Sequence, residues 1–372
     1  MAATQVARTA GPVGERRSLD QRERRALWSM GAGVALLHVL GFGLLLAWVR
    51  GHADLSATTI GFGTGMLAYS LGLRHAFDID HVAAIDNTTR ALMAQGKRPL
   101  ATGFFFSLGH SSIVFVMSVL LCLGLRAVYG QVEDGGSSLH HYTGLFGTTV
   151  SGVFLVLIGV LNCVVLVGIL RVLRGLRAGV YDDLELERHL AERGLMNRVL
   201  GPLARRIDAS WKLYPLGLLF GLGFDTATEV SLLVLAGTTV SVGLPFWAIL
   251  SMPLLFASGM CLLDTADGAF MSVAYGWAFA HPVRKVYYNL TVTGLSVAVA
   301  LFVGGLEVTQ VVSGQLGLSG GVWDLANGVD LNHAGFIVVG AFVAVWTAAW
   351  LVWRLGRIEE RWSAVPIADD QT

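Results

Sequence analysis

Charge is scarce in this sequence. Only 14% of its 372 residues are Asp, Glu, Lys or Arg, whereas 54% are hydrophobic. Soluble domains carry roughly 25% charged residues, so a soluble chain of this composition would lack the polar groups to cover its surface. A lipid bilayer accepts apolar side chains on the outside of a protein. The composition therefore excludes an ordinary soluble domain and predicts an all-α, polytopic membrane protein.

Cysteine and net charge are also in short supply. The three cysteines are Cys122, Cys163 and Cys261, and each lies in an apolar run. This pattern is not that of a disulfide framework, and the absence of a CxxC pair argues against a zinc site of that type. The formal net charge is zero, so nothing draws the whole molecule toward nucleic acid.

Long apolar runs, by contrast, are abundant. A helix needs roughly 20 apolar residues to cross the hydrocarbon core of a bilayer. The sequence predicts eight transmembrane helices, and the second and sixth are expected to be broken or re-entrant because they are long and their inner ends are polar. They lie at about 27–48, 58–84, 101–124, 144–170, 213–236, 244–272, 286–306 and 334–353. The segment at 27–48 follows a polar tail and is long enough to be an anchor rather than a cleaved signal peptide.

Lysine and arginine resist translocation and therefore mark the cytoplasmic side. Eight spans with both termini in the cytoplasm place every one of the 26 basic residues there except Arg50, Arg74 and Arg126. In this topology Arg90 lies in the loop after the second span and Arg74 lies within that span. The predicted organisation is a cytoplasmic tail (1–26), four spans (27–170), a charged cytoplasmic loop (171–212), four further spans (213–354) and a second cytoplasmic tail (355–372).

Two of the polar connections contain features of interest. The loop 171–212 alternates acidic and basic residues, with leucines at rough helical spacing that indicate a cytoplasmic amphipathic helix. The charge pattern alone is more often that of a plain solvated connector. The segment 126–142 is predicted to be an external loop. Its His140 and His141 are candidates for metal capture, although an exposed histidine pair in a loop is usually incidental.

Ionisable side chains lie where apolar ones are expected. Such a side chain in a membrane span costs at least ~2.5–3.5 kcal/mol and is tolerated when it faces a cavity, a partner or an ion. Only Arg74 offsets the carboxylates, and imidazole selects transition metals such as nickel and cobalt over magnesium and calcium. The spans or their ends hold seven carboxylates and four histidines: Asp78, Asp80, Asp86, Asp225, Glu229, Asp264, Asp267, His38, His75, His81 and His110.

The densest group is the octapeptide Arg74-His75-Ala76-Phe77-Asp78-Ile79-Asp80-His81. His75, Asp78 and His81 follow each other at i, i+3 and would share one broad face of a regular helix. Asp80 would point away from that face, so a kink is needed for Asp80 and His75 to bind the same ion. The alternative, a wet helix end, does not require two histidines and two acids.

Three further groups are weaker individually. His110, in FSLGHSSIVF, lies mid-span beside Gly109, which permits close helix approach; a lone buried histidine of this kind, and equally His38, is often only hydrogen-bonded to a neighbouring helix. Acidic pairs at i, i+4 and i, i+3 repel each other unless a cation or proton lies between them. These pairs are Asp225 with Glu229 and Asp264 with Asp267.

Together these groups resemble a known family. The His75-x4-Asp80-His81 element within LGLRHAFDIDHVAAIDNTTR is similar to the second-helix signature of the nickel/cobalt transporter family (NiCoT), and FSLGHSSIVF, LGFDTATEV and GMCLLDTADG resemble its other motifs. The resemblance implies a single-chain carrier that takes up Ni²⁺ or Co²⁺ with high affinity across the cytoplasmic membrane. It implies no ATPase subunit, no cofactor and no enzymatic activity, in agreement with the absence of a GxxxxGK[ST] run.

The resemblance also implies which residues bind metal. His75, Asp80 and His81 would form the principal site, and the other acids and His110 would complete or gate the path: Asp78, His110, Asp225, Glu229, Asp264 and Asp267. Binding needs neutral imidazole and ionised carboxylate, so affinity is expected to fall in acid. Two rival interpretations stay open, an efflux carrier with the same ligands and an intramembrane metalloenzyme, for which the histidines are few.

Overall fold

The computed structural model describes residues 20–51, 62–94, 96–123, 138–177, 208–223, 227–241, 245–278, 282–329 and 334–355. Within these ranges the regular structure is entirely helical, which agrees with the predicted fold class. The helices are α1 Gln21–Gly51, α2 Phe62–His75, α3 Ile79–Ala94, α4 Thr102–Cys122, α5 Ser138–Arg177, α6 Leu213–Gly221, α7 Ala227–Ser241, α8 Phe246–Ile249, α9 Ser251–Ala278, α10 Pro282–Leu316, α11 Val322–Asn327 and α12 Ala334–Leu355.

Five of the described helical stretches are long and apolar enough to cross a membrane. They are Glu23–Arg50, Thr102–Leu120, His141–Val164, Phe246–Gly276 and Thr293–Leu316, and Gly335–Ala349 is a shorter apolar helix. Large apolar side chains cover the outside of these helices; Val39 is 68% exposed, Phe302 64% and Ile337 72%. An apolar exterior of this kind is compatible with lipid and not with water.

The ends of several helices differ from the predicted spans. Asp20 caps α1, since its carboxylate accepts from the backbone N–H of Glu23 and its own N–H donates to the Glu23 side chain. This reciprocal pair is a capping box, and α1 therefore begins inside the predicted tail. At the other side of the bundle α5 begins at Ser138, so part of the predicted external loop 126–142 is helical. The predicted amphipathic helix in 171–212 falls mainly at 178–207, outside the described residues.

Several of the predicted spans are broken into shorter helices. The second span breaks as predicted, because α2 ends at His75 and α3 begins at Ile79. The sixth span is predicted to be broken, and it is interrupted at Leu250, between α8 and α9, whereas α9 runs without interruption through Asp264 and Asp267. The fifth span is also interrupted, because α6 ends at Gly221 and a turn follows at Leu222 and Gly223.

The helix α9 lies at the centre of the bundle, where it packs against α1, α2, α3 and α4, while α5 and α10 form the most extensive helix pair. The α4–α6 contact depends on small residues. A Cβ added to Gly109 would collide with the carbonyl oxygen of Tyr214, and one added to Gly217 would collide with that of Phe106. This close approach places His110 of α4 beside the break between α6 and α7, as the position of Gly109 suggested.

Charged residues of three separate segments meet at one end of the bundle. Arg98 forms an ion pair with Glu23 at 3.0 Å. Lys97 donates to the backbone carbonyl of Asp208 at 2.6 Å, and Lys212 forms an ion pair with the Asp208 carboxylate at 2.8 Å. The start of α1, the turn between α3 and α4, and the segment before α6 therefore lie on the same side.

Candidate metal site

Three buried histidines from three helices form a compact triangle. His75 ends α2, His81 lies in the first turn of α3 and His110 lies in the middle of α4. The three ring centroids are each 4.7 Å from the other two. One nitrogen from each ring lies within 4.8 Å of the others, and the three residues are 2%, 1% and 4% exposed. Ligands at ~2.1 Å from one ion are at most ~4.2 Å apart, so small shifts suffice for a shared ion.

In two of these rings one nitrogen is hydrogen-bonded to a carboxylate, and the other has no hydrogen-bond partner among the described residues. The Nδ1–H of His81 donates to Asp264 at 3.0 Å, and the Nε2–H of His110 donates to Glu229 at 2.5 Å. The remaining nitrogens, His81 Nε2 and His110 Nδ1, are buried and have no hydrogen-bond partner among the described residues. A carboxylate behind an imidazole fixes its tautomer and leaves the opposite lone pair for a metal.

His75 is held by its neighbours in a similar way. Its Nδ1 lies 2.8 Å from the Thr228 hydroxyl, and its Nε2 lies 3.0 Å from His110 Nε2. Thr228 and Glu229 both belong to the first turn of α7, directly after the break that follows α6. The two broken helices therefore bring their ends to the same point, an arrangement that membrane carriers use for ion sites.

A small cavity opens beside the triangle. It offers about 10 Å³ to the centre of a water-sized sphere, which is room for one water or one ion. Asp78 and Asp80 belong to its wall, because the chain turns between α2 and α3 and brings both acids to the side of the histidines. The lining residues are His75, Asp78, Asp80, His81, His110, Gly147, Ser151 and Phe220.

Asp80 has an unexpected neighbour. The Ser151 hydroxyl of α5 lies 2.6 Å from Asp80 Oδ2 and 2.9 Å from Glu307 Oε2 of α10. Glu307 is 3% exposed and Ser151 is 2% exposed. The other oxygen of Asp80, Oδ1, is buried and has no hydrogen-bond partner in the described part of the chain.

A second buried polar network lies further along α3. Arg90, predicted to lie in a loop, is 4% exposed within α3. Its guanidinium lies 3.5 Å from Asp86 and donates to Tyr275 at 2.8 Å and Ser296 at 2.5 Å. The expectation that only Arg74 offsets the buried acids is therefore wrong, since Arg74 is exposed and Arg90 is the buried cation.

The remaining candidates lie apart from the triangle or outside the described residues. Asp267 is half-buried and does not line the cavity, and Asp225 falls in the undescribed segment 224–226. His38 is hydrogen-bonded to Val34 O of its own helix at 2.8 Å and to the Tyr69 hydroxyl of α2 at 3.2 Å. It is therefore a histidine that is hydrogen-bonded to a neighbouring helix. His141 lies 3.5 Å from Gln315 at an exposed position, and nothing is described of the His140 side chain.

Three residues of this region escaped the sequence analysis. Thr228 lies within a motif, but a threonine in an apolar span gives no signal of its own. Ser151, a serine in an apolar span, gives no signal either. Glu307 follows the predicted end of the seventh span at 306 directly, and no neighbouring histidine or second acid drew attention to it. The available signal was an acidic residue at the end of a long apolar run.

Comparison with known proteins identifies the family of the chain. The family model of the high-affinity nickel-transport proteins (NicO) matches residues 61–352. The nickel transporter NicT of Mycobacterium tuberculosis is 56% identical over 94% of this chain and 96% of its own length. The nickel transporter NixA of Staphylococcus aureus is 46% identical over 89% of this chain and 95% of its own.

A relative named for the other metal is also similar. The cobalt transport protein NhlF of Rhodococcus rhodochrous is 41% identical over 88% of this chain and 92% of its own length. No solved structure matches the chain. The family match covers all of the motifs and every described helix that contributes to the triangle. The chain therefore belongs to the family of high-affinity nickel-transport proteins.

Proposed function

We propose that this chain takes up Ni²⁺ or Co²⁺ across the cytoplasmic membrane through the triangle of His75, His81 and His110. The observation that supports this most strongly is the pair of unpartnered nitrogens, His81 Nε2 and His110 Nδ1. A buried imidazole nitrogen without a partner is costly. Two of them in neighbouring rings, whose centroids are 4.7 Å apart and each of which has a carboxylate on its other nitrogen, are suited to a transition-metal ion.

The acids around the triangle supply the opposite charge. A divalent cation in low dielectric needs compensating carboxylates, and Asp264 and Glu229 lie behind the rings while Asp78 and Asp80 line the cavity. We assign His75, Asp80, His81 and His110 to the ion and the carboxylates behind the rings to the support of the ligands. Asp225 and Asp267 keep their predicted place on the path, which the described geometry does not test.

The topology is part of the same proposal. We place eight spans in the membrane with both termini in the cytoplasm. The ion pair between Arg98 and Glu23, and the contacts of Lys97 and Lys212 with Asp208, support this arrangement because they gather three predicted cytoplasmic segments at one end. The ion is the cargo, and no resident cofactor or nucleotide enters the proposal.

The test is uptake of radiolabelled nickel, and separately of cobalt, into cells that express the chain. His75→Ala is expected to abolish saturable uptake because it removes one corner of the triangle. His141→Ala is the matched control, since it removes an exposed histidine that does not line the cavity. Saturable uptake that persists in His75→Ala would refute the site, and metal sensitivity of a deletion strain would favour efflux.

A further inference from the structure

The buried carboxylate of Glu307 has no place in the metal site proposed above. It lies on α10, outside all four motif regions, and is 3% exposed. An acidic side chain in a membrane span is costly and is tolerated when it has a partner or a function. Glu307 contacts the Asp80 side chain directly, and the Ser151 hydroxyl bridges the same two acids, so Glu307 is connected to the wall of the cavity.

The two carboxylate oxygens of Asp80 differ in their contacts. Oδ2 accepts from the Ser151 hydroxyl at 2.6 Å, while Oδ1 is buried and has no hydrogen-bond partner among the described residues. Asp80 also lines the cavity beside the histidines. The serine therefore holds one oxygen and leaves the second for the ion.

Ser151 is itself held from the opposite side. Its Oγ lies 2.9 Å from Glu307 Oε2, so the hydroxyl is fixed between an acid of α3 and an acid of α10. A freely rotating hydroxyl would hold Asp80 less firmly, because its donor direction adapts to any neighbour. The chain Glu307–Ser151–Asp80 thus links the α5–α10 pair to the wall of the cavity.

The packing around Glu307 makes room for this arrangement. Ser151 is followed by Gly152, and a Cβ added to this glycine would lie 3.1 Å from the Glu307 Cβ and 3.3 Å from its Oε2. This is tighter than ordinary van der Waals contact, so a larger residue would press on the carboxylate. The small residue at 152 lets α10 approach α5 closely enough for the Glu307 carboxylate to reach Ser151.

We propose that Glu307 is a positioning residue for metal transport, which acts through Ser151 to hold the carboxylate of Asp80 with one oxygen turned to the cavity. The inference rests on the proposed function, since it takes the histidine triangle as the metal site. It adds that a residue of α10, outside the four motif regions of this chain, sets the affinity for the ion.

The experiment measures initial nickel uptake against nickel concentration, with the amount of protein in the membrane determined for each variant. Glu307→Gln keeps the size and replaces the carboxyl group with an amide, and Ser151→Ala removes the bridge and keeps the carboxyl group of Glu307. Loss of a group that orients a metal ligand typically costs 10–100-fold in affinity or activity. We expect the KM of each variant to rise about 10-fold while the maximal rate per protein stays within about twofold.

Three further variants make the interpretation specific. Glu307→Asp restores the carboxyl group and is expected to bring the KM back toward the wild-type value. The double variant Ser151→Ala with Glu307→Gln is expected to be no worse than the worse single one, because both act on Asp80 through one chain of contacts. Ser313→Ala removes a buried hydroxyl on the same helix, where it contacts Gln310 O and Asn327, and is expected to leave the KM unchanged.

The outcomes separate this inference from the proposed function. Loss of uptake in His81→Ala together with an unchanged KM in Glu307→Gln would overturn the role of Glu307 and leave the metal site standing. Undiminished uptake in His81→Ala would overturn the metal site itself. A fall in membrane protein with an unchanged KM in Glu307→Gln would show a purely structural role and would also overturn the inference.

Discussion

The free nitrogens of His81 and His110 are the residue-level basis of the site. Each imidazole has one nitrogen bonded to a carboxylate, Asp264 or Glu229, and the other nitrogen buried without a hydrogen-bond partner in the described structure. In a protein without a metal substrate, buried nitrogens without a hydrogen-bond partner would only destabilise the fold. The pairing of ring and acid therefore points to ligands already set in their binding tautomer.

Asp264→Asn is predicted to weaken nickel binding without removing a ligand. Asparagine keeps the shape but loses the charge that fixes and polarises the His81 ring, so affinity is expected to fall about 10–100-fold. Binding of nickel to the purified protein in detergent, measured by calorimetry, tests this. Asp208→Asn at the exposed end of the bundle is the control, and an Asp264→Asn variant with wild-type affinity would contradict the assigned role.

Sequence reasoning found most ligands at this scale but not their supports. The octapeptide 74–81 contains so many histidines and acids that the local sequence alone indicates a metal site. The contact of His110 with His75 requires α4 to approach α2, which no local pattern contains. Ser151 and Glu307 were missed because a serine and an isolated acid become meaningful only when α5 and α10 bring them to Asp80.

Broken helices organise the site at the level of secondary structure. The break after α2 was predictable because His75 and Asp80 cannot face one ion from a regular helix. The break after α6 was missed, and the sixth span is interrupted at Leu250, away from its polar end, since polarity at a helix end does not distinguish a break from a continuous helix with buried acids. In α9 the acid Asp264 is bonded to His81 and therefore needs no break.

Arg90 is predicted to stabilise the packing of α3 against α9 and α10. Its guanidinium contacts Asp86, Tyr275 and Ser296, all of them buried. Removal of one member of a buried ion pair typically costs about 3–5 kcal/mol because the partner is left uncompensated.

Arg90→Ala is therefore expected to lower the thermal unfolding midpoint of the purified protein clearly. Arg98→Ala removes the more exposed ion pair with Glu23, and pairs of that kind contribute about 0–1 kcal/mol. Arg98→Ala should thus shift the midpoint little. Equal shifts in the two variants would show that Arg90 does not hold the helices together.

The whole molecule has the surface of a membrane protein and one charged end. Composition alone predicted the apolar exterior, and the charge of the loops predicted which segments share a side. The contacts of Glu23, Lys97 and Asp208 support that grouping. The placement of Arg90 in a loop was wrong because the charge rule treats every basic residue near a span as solvated, whereas this arginine has buried partners.

The orientation of the molecule has its own test. A phosphatase that is active only outside the cytoplasm, fused after Gly243, is predicted to be active because the proposed topology places the connection between the fifth and sixth spans outside. The same fusion after Lys97 should be inactive, since that turn lies with the other basic segments. An inactive fusion at Gly243 with an active one at Lys97 would invert the topology.

The central claim is that one metal ion binds between His75, His81 and His110. X-ray absorption spectroscopy of the purified protein loaded with one equivalent of nickel tests it directly, because imidazole rings give a characteristic multiple-scattering pattern. We predict two or three imidazole ligands in the wild type and one fewer in His110→Ala. A nickel spectrum without imidazole scattering, or one that His110→Ala leaves unchanged, would contradict the account.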